Sequence, residues 1–146
     1  MSLPADDQLD AVFGADGALS RAIPGYRQRR QQIEMAQTIA QAMRDNSLLV
    51  AEAGTGTGKT FAYLVPALLS GGKVIISTGT KNLQDQLYNR DLPTVRDALR
   101  VPCSTALLKG RANYVCHHHL RARSPMDASP IARTWRICTR SRALPK

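Results

Sequence analysis

The stretch that decides the fold of this chain lies in its first half and reads Ala53-Gly54-Thr55-Gly56-Thr57-Gly58-Lys59-Thr60. A short apolar run, residues 48–52, precedes it, and a largely apolar stretch that predicts a helix over residues 58–70 follows it. Three glycines let the chain turn tightly with its backbone N–H groups directed inward, at the positive end of the helix that follows. The pattern therefore predicts a phosphate-binding loop between a strand and a helix.

The residues of this loop suit the phosphates of a nucleoside triphosphate. Lys59 brings a positive charge to the β- and γ-phosphates, and the hydroxyl of Thr60 is a ligand for Mg²⁺. Ala53 stands where the common form of the motif has its first glycine, which leaves the inner glycines, the lysine and the hydroxyl in place. We therefore predict that residues 53–60 bind a nucleoside triphosphate together with Mg²⁺.

The elements around the loop predict an α/β fold. Residues 48–52 and 74–77 are short apolar runs typical of buried strands, and the helix between them makes a strand–helix–strand unit with parallel strands. Apolar residues recur every three or four positions over about 29–44, which predicts an amphipathic helix. We expect Pro66 to kink or end the loop helix. Shorter expected elements are helices over 6–13, 81–89 and 93–99 and a strand over 104–109.

Composition excludes several classes of protein. The 146 residues are 43% hydrophobic and 21% charged, which suits one globular domain and excludes a collagen-like or wholly disordered chain. No apolar run approaches the roughly 20 residues of a membrane-spanning helix, and the first residues lack the features of a secretory signal. We therefore expect a cytoplasmic protein with no membrane partner. Cys103, Cys116 and Cys138 are too few and too unevenly spaced for a disulfide framework.

Positive charge is concentrated at the C-terminal end. Lys plus Arg is 20 against 11 for Asp plus Glu, and the opposite charges of residues 1–97 cancel. The formal net charge of +9 therefore lies in residues 98–146, where Asp127 is the only acidic residue. Such a block suits nucleic acid, because each lysine or arginine set against a phosphate releases condensed counterions. The alternative is a solvated, poorly folded tail.

The flanks of the loop resemble a known family. The sequence Glu52 to Thr60 resembles motif I of superfamily 2 helicases, in particular the XPD-like iron–sulfur group of the DinG/YoaA type. Upstream, Arg29-x-x-Gln32-x-Glu34-Met35 looks like the adenine-recognising segment of that group. A glutamine amide carries the paired donor and acceptor that distinguish adenine from guanine, so the resemblance implies that Gln32 favours ATP. The alternative is an exposed glutamine on a helix.

Downstream, residues 77–87 are similar to motif Ia of the same group. In these helicases this strand-to-helix segment lies against the backbone of single-stranded DNA. The resemblance implies that Thr80 and Lys81 contact the DNA phosphates, since a hydroxyl, a lysine and helix N–H groups suit such contacts without reading sequence. Leu83 and Leu87 are expected in the core instead.

Residues 108–116 look like the segment that carries the first cysteine of the iron–sulfur domain of the group. A [4Fe–4S] cluster needs four thiolates, whereas only Cys138 follows Cys116. We therefore expect that this chain alone does not assemble an intact cluster. The three histidines at 117–119 could bind adventitious zinc or nickel, and the alternative is that they are solvated.

The resemblance covers about residues 12–122 and implies a division of the chain. We expect a lead-in, a partial, truncated RecA-like P-loop NTPase domain with a parallel sheet, the start of an iron–sulfur domain, and an irregular, disordered basic tail. These cover residues 1–25, 26–109, 110–122 and 123–146, respectively. The composition of the tail is what a shifted reading frame or a premature end would produce.

The resemblance implies an ATP-dependent DNA helicase with 5′ to 3′ polarity that acts on single-stranded DNA. Hydrolysis in the group also needs an Asp-Glu-Ala-His box and a second motor domain, and the sequence contains no Asp-Glu pair. We therefore expect this chain, as an N-terminal fragment, to bind nucleotide but hardly to hydrolyse it or to unwind DNA alone. The alternatives are another P-loop ATPase or kinase, and a non-catalytic basic nucleic-acid-binding remnant. The sequence does not indicate an oligomeric state.

Overall fold

The computed structural model describes residues 4–118. The chain divides into two compact units, Met1–Ala106 and Leu107–Lys146. Several predictions lie outside the described residues: those for the tail over 123–146, for Cys138 and for the third histidine, at position 119.

Helices supply the regular structure of the described residues. The first unit contains six α-helices, and a π-helical turn, Leu87–Asp91, joins the last two. They are α1 (Asp6–Phe13), α2 (Ala18–Ala22), α3 (Arg30–Asp45), α4 (Lys59–Leu69), α5 (Lys81–Gln86) and α6 (Leu92–Leu99). In the second unit, the described part contains a 3₁₀ turn, Arg111–Asn113, and two helical residues at 117 and 118. The helices predicted over 6–13, 29–44, 58–70 and 93–99 are confirmed to within about a residue at each end.

The centre of the first unit is the packing of α3 against α4. The predicted apolar stripe of α3 places Ala36 and Ala40 in the core, where they are fully buried. Ala62 of α4 is equally buried, and small side chains at such a contact let two helix axes approach closely. This contact places the N-terminus of α4, and the loop before it, beside the first turn of α3.

The N-terminal residues 6–22, expected to be a loosely organised lead-in, are part of the same core. Helix α1 packs against α2 and α3, while α6 packs against α2 and α4. Phe13 and Leu9 of α1 and Leu19 of α2 have no exposed surface. The buried apolar residues are Leu9, Val12, Phe13, Leu19, Ala36, Ala40, Ala62, Leu64, Val65, Leu87 and Val95.

The predicted parallel sheet is wrong for the described residues, which contain no strand. Residues 48–52 lie in a coil over residues 47–53, called here the first coil segment. Residues 74–77 lie in a coil over residues 73–78, the second coil segment. A strand is stable only when a neighbouring strand takes up its N–H and C=O groups. The backbones of 48–52 and 74–77 make no hydrogen bond to the backbone of another described residue. The strand expected over 104–109 is absent from the described residues as well.

The apolar side chains of the two coil segments face solvent as a result. Leu48 is 92% exposed, Val50 88% and Ile75 96%. Leu49 and Val74 line a groove that α3 and α4 border, and Val74 is still 46% exposed. The structure of the first unit is therefore a helical cluster that leaves two apolar segments largely uncovered.

Two prolines have different effects on the helices. Helix α4 does not end at Pro66, because it continues to Leu69 with Pro66 buried inside it. Pro93 follows the π-helical turn, and its missing N–H cannot bond the carbonyl of Asn89 as an α-helix would require. A wider turn at this point accommodates the missing hydrogen bond.

Leu87, in the π-helical turn, is buried as expected. The prediction for Leu83 is wrong, since it is 43% exposed.

Across residues 4–118, none of the helices combines the length and the hydropathy that crossing a bilayer requires.

Candidate functional site

The predicted phosphate-binding loop (residues 53–60) leads from the first coil segment into α4. Gly56 (φ 79°) and Gly58 (φ 83°) adopt left-handed backbone conformations, which side chains with a Cβ rarely adopt. Gly58 is also the N-cap of α4, so the loop ends where the helix begins. These conformations explain why glycine stands at these two positions.

The side chain of Lys59 folds back over the loop. Its Nζ donates hydrogen bonds to the carbonyl oxygens of Ala53 and Gly54, the latter at 2.8 Å. The Thr57 hydroxyl donates to the same Gly54 oxygen at 2.9 Å. The bonds of Lys59 hold its ammonium group over the loop. Phosphate oxygens could replace the Ala53 and Gly54 carbonyl oxygens as acceptors there.

The backbone N–H groups of the loop are free to serve as donors. Those of residues 54–60 make no hydrogen bond to the backbone of another described residue. The first N–H groups to bond within the helix are those of Phe61 and Ala62, which donate to the Gly58 oxygen at 3.1 and 3.2 Å. Free N–H groups, a helix N-terminus and an ammonium group together provide the donors of an anion site.

Thr60 is half-buried in the first turn of α4, one turn before Tyr63. Burial raises the pKa of the Tyr63 hydroxyl, a hydrogen bond with the Thr60 side chain lowers it, and the charge of Asp91 raises it. Asp91 is buried and accepts a hydrogen bond from Gln86 Nε2 at 3.1 Å. The hydroxyl that we predict as a magnesium ligand therefore lies close enough to Tyr63 to affect the pKa of that residue.

Gln32 lies in the first turn of α3, directly beside the loop. Its side-chain Nε2 donates to the Gly58 oxygen at 2.9 Å, and its Oε1 accepts from the Tyr26 hydroxyl at 3.1 Å. Gln32 is only 4% exposed, so it is not the exposed helix glutamine of the alternative interpretation. One donor hydrogen and one acceptor lone pair of the amide remain for a ligand.

Tyr26 also belongs to this site, and no sequence pattern predicts it. Its hydroxyl also lies 3.2 Å from the carbonyl oxygen of Phe13, at the end of α1. No spacing or motif in the sequence marks Tyr26, because it follows the Pro24-Gly25 break and belongs to no periodic element. Its role depends on contacts with residues that are distant in the sequence.

Thr80 and Lys81, predicted to contact DNA, lie at the start of α5. Thr80 is its N-cap, and its Oγ1 accepts a hydrogen bond from the Leu83 N–H at 3.2 Å. Thr78 donates through its hydroxyl to the Thr80 oxygen at 3.2 Å. Lys81 is exposed. Thr80 therefore has a structural task of its own, whereas Lys81 extends into solvent.

The cysteines are free thiols within the described residues. Cys116, in the second unit, is exposed, and Cys103, in the first, is half-buried. Residues 4–118 contain no group of three or more His, Cys, Asp or Glu side chains arranged to hold a metal ion. In the second unit, the Tyr114 hydroxyl accepts a hydrogen bond from the Lys109 N–H at 2.9 Å.

Comparison with curated proteins gives a consistent set of relatives. An ATP-dependent DNA helicase YoaA from Haemophilus influenzae is 56% identical over 115 residues, which are 79% of this chain and 18% of that protein. Its counterpart from Escherichia coli is 58% identical over 108 residues, 74% and 17% of the two chains. An ATP-dependent helicase DinG from Mycobacterium tuberculosis is 44% identical over 126 residues, 77% and 19% of the two chains. No solved structure matches the chain.

These matches confirm the resemblance to helicases of the DinG/YoaA type, while the chain spans less than a fifth of the length of these relatives. A family model described as DEAD/DEAH box helicase matches residues 30–114, which include helices α3 to α6, the predicted phosphate-binding loop and the 3₁₀ turn. Since that match extends over more than half of the sequence, the chain belongs to the DEAD/DEAH box helicase family.

Proposed function

We propose that this chain binds ATP and Mg²⁺ as the nucleotide-binding part of an ATP-dependent DNA helicase. The observation that carries the proposal is the loop at the N-terminus of α4, where the Lys59 ammonium lies over the Ala53 and Gly54 carbonyl oxygens. An entering β- or γ-phosphate would replace these neutral acceptors with charged oxygens, which form stronger hydrogen bonds. Family membership and the names of the relatives support the same function.

Isothermal titration calorimetry with Mg-ATP tests the proposal. Lys59→Ala removes the charged donor, and we expect affinity to fall roughly 10- to 100-fold, as for a charge-assisted hydrogen bond of about 1.5–3 kcal/mol. Lys73→Ala is the matched control, because Lys73 is exposed and lies in the second coil segment. An unchanged affinity of Lys59→Ala in a folded sample contradicts the proposal.

We propose that Gln32 makes the site selective for adenine. The remaining donor and acceptor of its amide match the paired groups on the edge of adenine.

The proposed magnesium ligand is Thr60. Bound Mg²⁺ would neutralise phosphate charge, and the Thr60 hydroxyl would coordinate it through an oxygen lone pair.

We propose single-stranded DNA as the partner of Thr80 and Lys81. Exposure of Lys81 at the start of α5 supports this role. Binding of an oligonucleotide measured over a range of salt concentrations tests it, since Lys81→Ala should reduce the salt slope by about one ion. A slope equal to that of the wild type removes Lys81 from the interface.

Hydrolysis and unwinding are proposed to need residues that this chain does not contain. No Asp-Glu pair is present in the sequence to hold Mg²⁺ and position water, so we expect nucleotide binding with hardly any turnover. ATP-dependent unwinding of DNA by these 146 residues would contradict this. The 5′ to 3′ polarity is proposed from the family resemblance, and the cytoplasmic location is proposed because the relatives are named as DNA helicases.

The iron–sulfur cluster of the resembling group does not fit this chain. Four thiolates are required, and the sequence holds three cysteines, of which Cys103 lies in a different unit from Cys116. Absence of the broad visible absorption of a cluster after anaerobic incubation with iron and sulfide is the expected result.

A further inference from the structure

The contacts of Tyr26, Gln32 and Gly58 form a continuous series of hydrogen bonds. The Tyr26 hydroxyl lies 3.1 Å from Gln32 Oε1, and Gln32 Nε2 donates to the Gly58 oxygen at 2.9 Å. Gly58 is 26 residues from Gln32 in the sequence. The series therefore links the segment before α3 to the last residue of the phosphate-binding loop.

The side chain of Gln32 also occupies the space that a Cβ on residue 58 would need. A Cβ on Gly58 would clash with the Gln32 amide nitrogen, and the glycine has a positive φ. The Gly58 oxygen also accepts from the N–H groups of Phe61 and Ala62. The Gly58 C=O and the Lys59 N–H belong to the same planar peptide unit, so the direction of the carbonyl also sets the direction of that N–H.

The Tyr26 hydroxyl favours one orientation of the Gln32 amide when it donates to that residue. A hydroxyl has one hydrogen, which Tyr26 can donate either to Gln32 Oε1 or to the Phe13 oxygen. When it is directed at Gln32 it requires the oxygen of the amide, and the nitrogen then faces Gly58. Burial raises the pKa of Tyr26, against a smaller lowering by Arg29, so the hydroxyl keeps its hydrogen at neutral pH.

We propose that Tyr26 is a positioning residue of the phosphate-binding loop. Its hydroxyl orients the Gln32 amide, and that amide orients the Gly58 carbonyl and so the N–H donors of the loop. The inference rests on the proposed function of the loop. It extends that function by giving Gln32 a task toward the phosphates, in addition to the one toward adenine.

Ligands with and without a nucleotide base distinguish the role of Gln32 toward the phosphates from its role toward adenine. A residue that acts only on adenine has no effect on inorganic tripolyphosphate, whereas a residue that shapes the loop changes the affinity for any triphosphate. We therefore compare Mg-ATP, Mg-GTP and Mg-tripolyphosphate by calorimetry on the full chain. Failure of the wild type to bind any of the three would contradict the proposed function itself.

Tyr26→Phe is the first variant. We expect its affinity for all three ligands to fall by a similar factor, roughly three- to tenfold, as for loss of one neutral hydrogen bond. Tyr114→Phe is the matched control, since it removes a tyrosine hydroxyl from the second unit. Wild-type affinity of Tyr26→Phe for tripolyphosphate overturns the proposal.

Gln32→Glu provides a pH readout that lost packing alone would not move. A carboxylate has no hydrogen to donate to the Gly58 oxygen, but a protonated carboxyl has one. The affinity of Gln32→Glu for Mg-tripolyphosphate, divided by that of the wild type at each pH, should therefore rise as the pH falls from 8 to 5. A ratio that stays constant over this range overturns the proposal, even if Tyr26→Phe does not fold.

Discussion

Helix α4 and the two coil segments have similar apolar sequences and opposite environments. Leu64 of α4 is 1% exposed, whereas Leu48 of the first coil segment is 92% exposed. A helix satisfies its backbone hydrogen bonds internally, so its apolar face needs only a surface to pack on, which α3 supplies here. A strand must also find a backbone partner, and residues 48–52 and 74–77 have none among the described residues. Apolar composition alone therefore does not determine burial.

The largest expected difference is between the two leucines. Leu64→Ala should lower the free energy of unfolding by about 2–5 kcal/mol, because it leaves a cavity in the core. Leu48→Ala should change it by less than about 0.5 kcal/mol, since the side chain has few contacts to lose. Urea denaturation of both variants measures the difference. Equal losses would show that the first coil segment is packed in solution.

The next comparison is between two glycines of the loop, which joins the first coil segment to α4. Gly58→Ala should cost about 1–3 kcal/mol, because it combines a positive φ with a clash against Gln32. Gly56→Ala has a similar φ but open space around it, so we expect a cost of about 1 kcal/mol. Thermal unfolding of the two variants gives the ranking. A Gly56→Ala variant that is the less stable of the two would contradict the described contact with Gln32.

A smaller effect is expected at the end of the second coil segment. Thr80→Ala should destabilise the chain by about 1 kcal/mol, because Thr80 caps α5 through the Leu83 N–H. Thr80→Ser keeps the cap and should restore the stability, while Lys81→Ala should have little effect on it. If the Thr80→Ala variant unfolds at the same temperature as the wild type, the Thr80 hydroxyl does not stabilise α5, and contact with DNA is the role that remains for it.

The smallest expected effect is a loss of stability at high pH, which arises from Tyr63 in helix α4. Burial raises the pKa of Tyr63 above its ordinary value of 10.0, so the unfolded chain loses its proton first as the pH rises. The stabilising contribution is therefore complete below about pH 10 and decreases as the pH rises through the folded-state pKa. The melting temperature of Tyr63→Phe between pH 9 and 11 should fall less steeply than that of the wild type. Parallel curves would contradict the assignment to Tyr63.

Local patterns predicted the helices and failed for the sheet. The spacing of apolar residues located α3, and the loop sequence located α4, because both depend on neighbours within a few residues. Residues 48–52 and 74–77 have the composition of strands, but composition does not identify a pairing partner. The expected α/β class therefore fails for the described residues.

The candidate site shows the same limit. The residues of the loop followed from one local motif, and Gln32 from a family resemblance. The contact between Gln32 and Gly58 spans 26 residues, and Tyr26 reaches both Gln32 and Phe13. No single-sequence pattern encodes these tertiary contacts, so the series of hydrogen bonds could not be predicted.

The π-helical turn at Leu87–Asp91 has a consequence for how the region between α5 and α6 can vary. Such a turn is equivalent to one extra residue in an α-helix, and one residue rotates everything beyond it by about 100°. Deleting a single residue here would remove the extra residue of the turn, yet it would turn Val95 away from the interior that it now fills. Selection on this stretch should therefore tolerate exchanges of side chain more readily than any change in the number of residues.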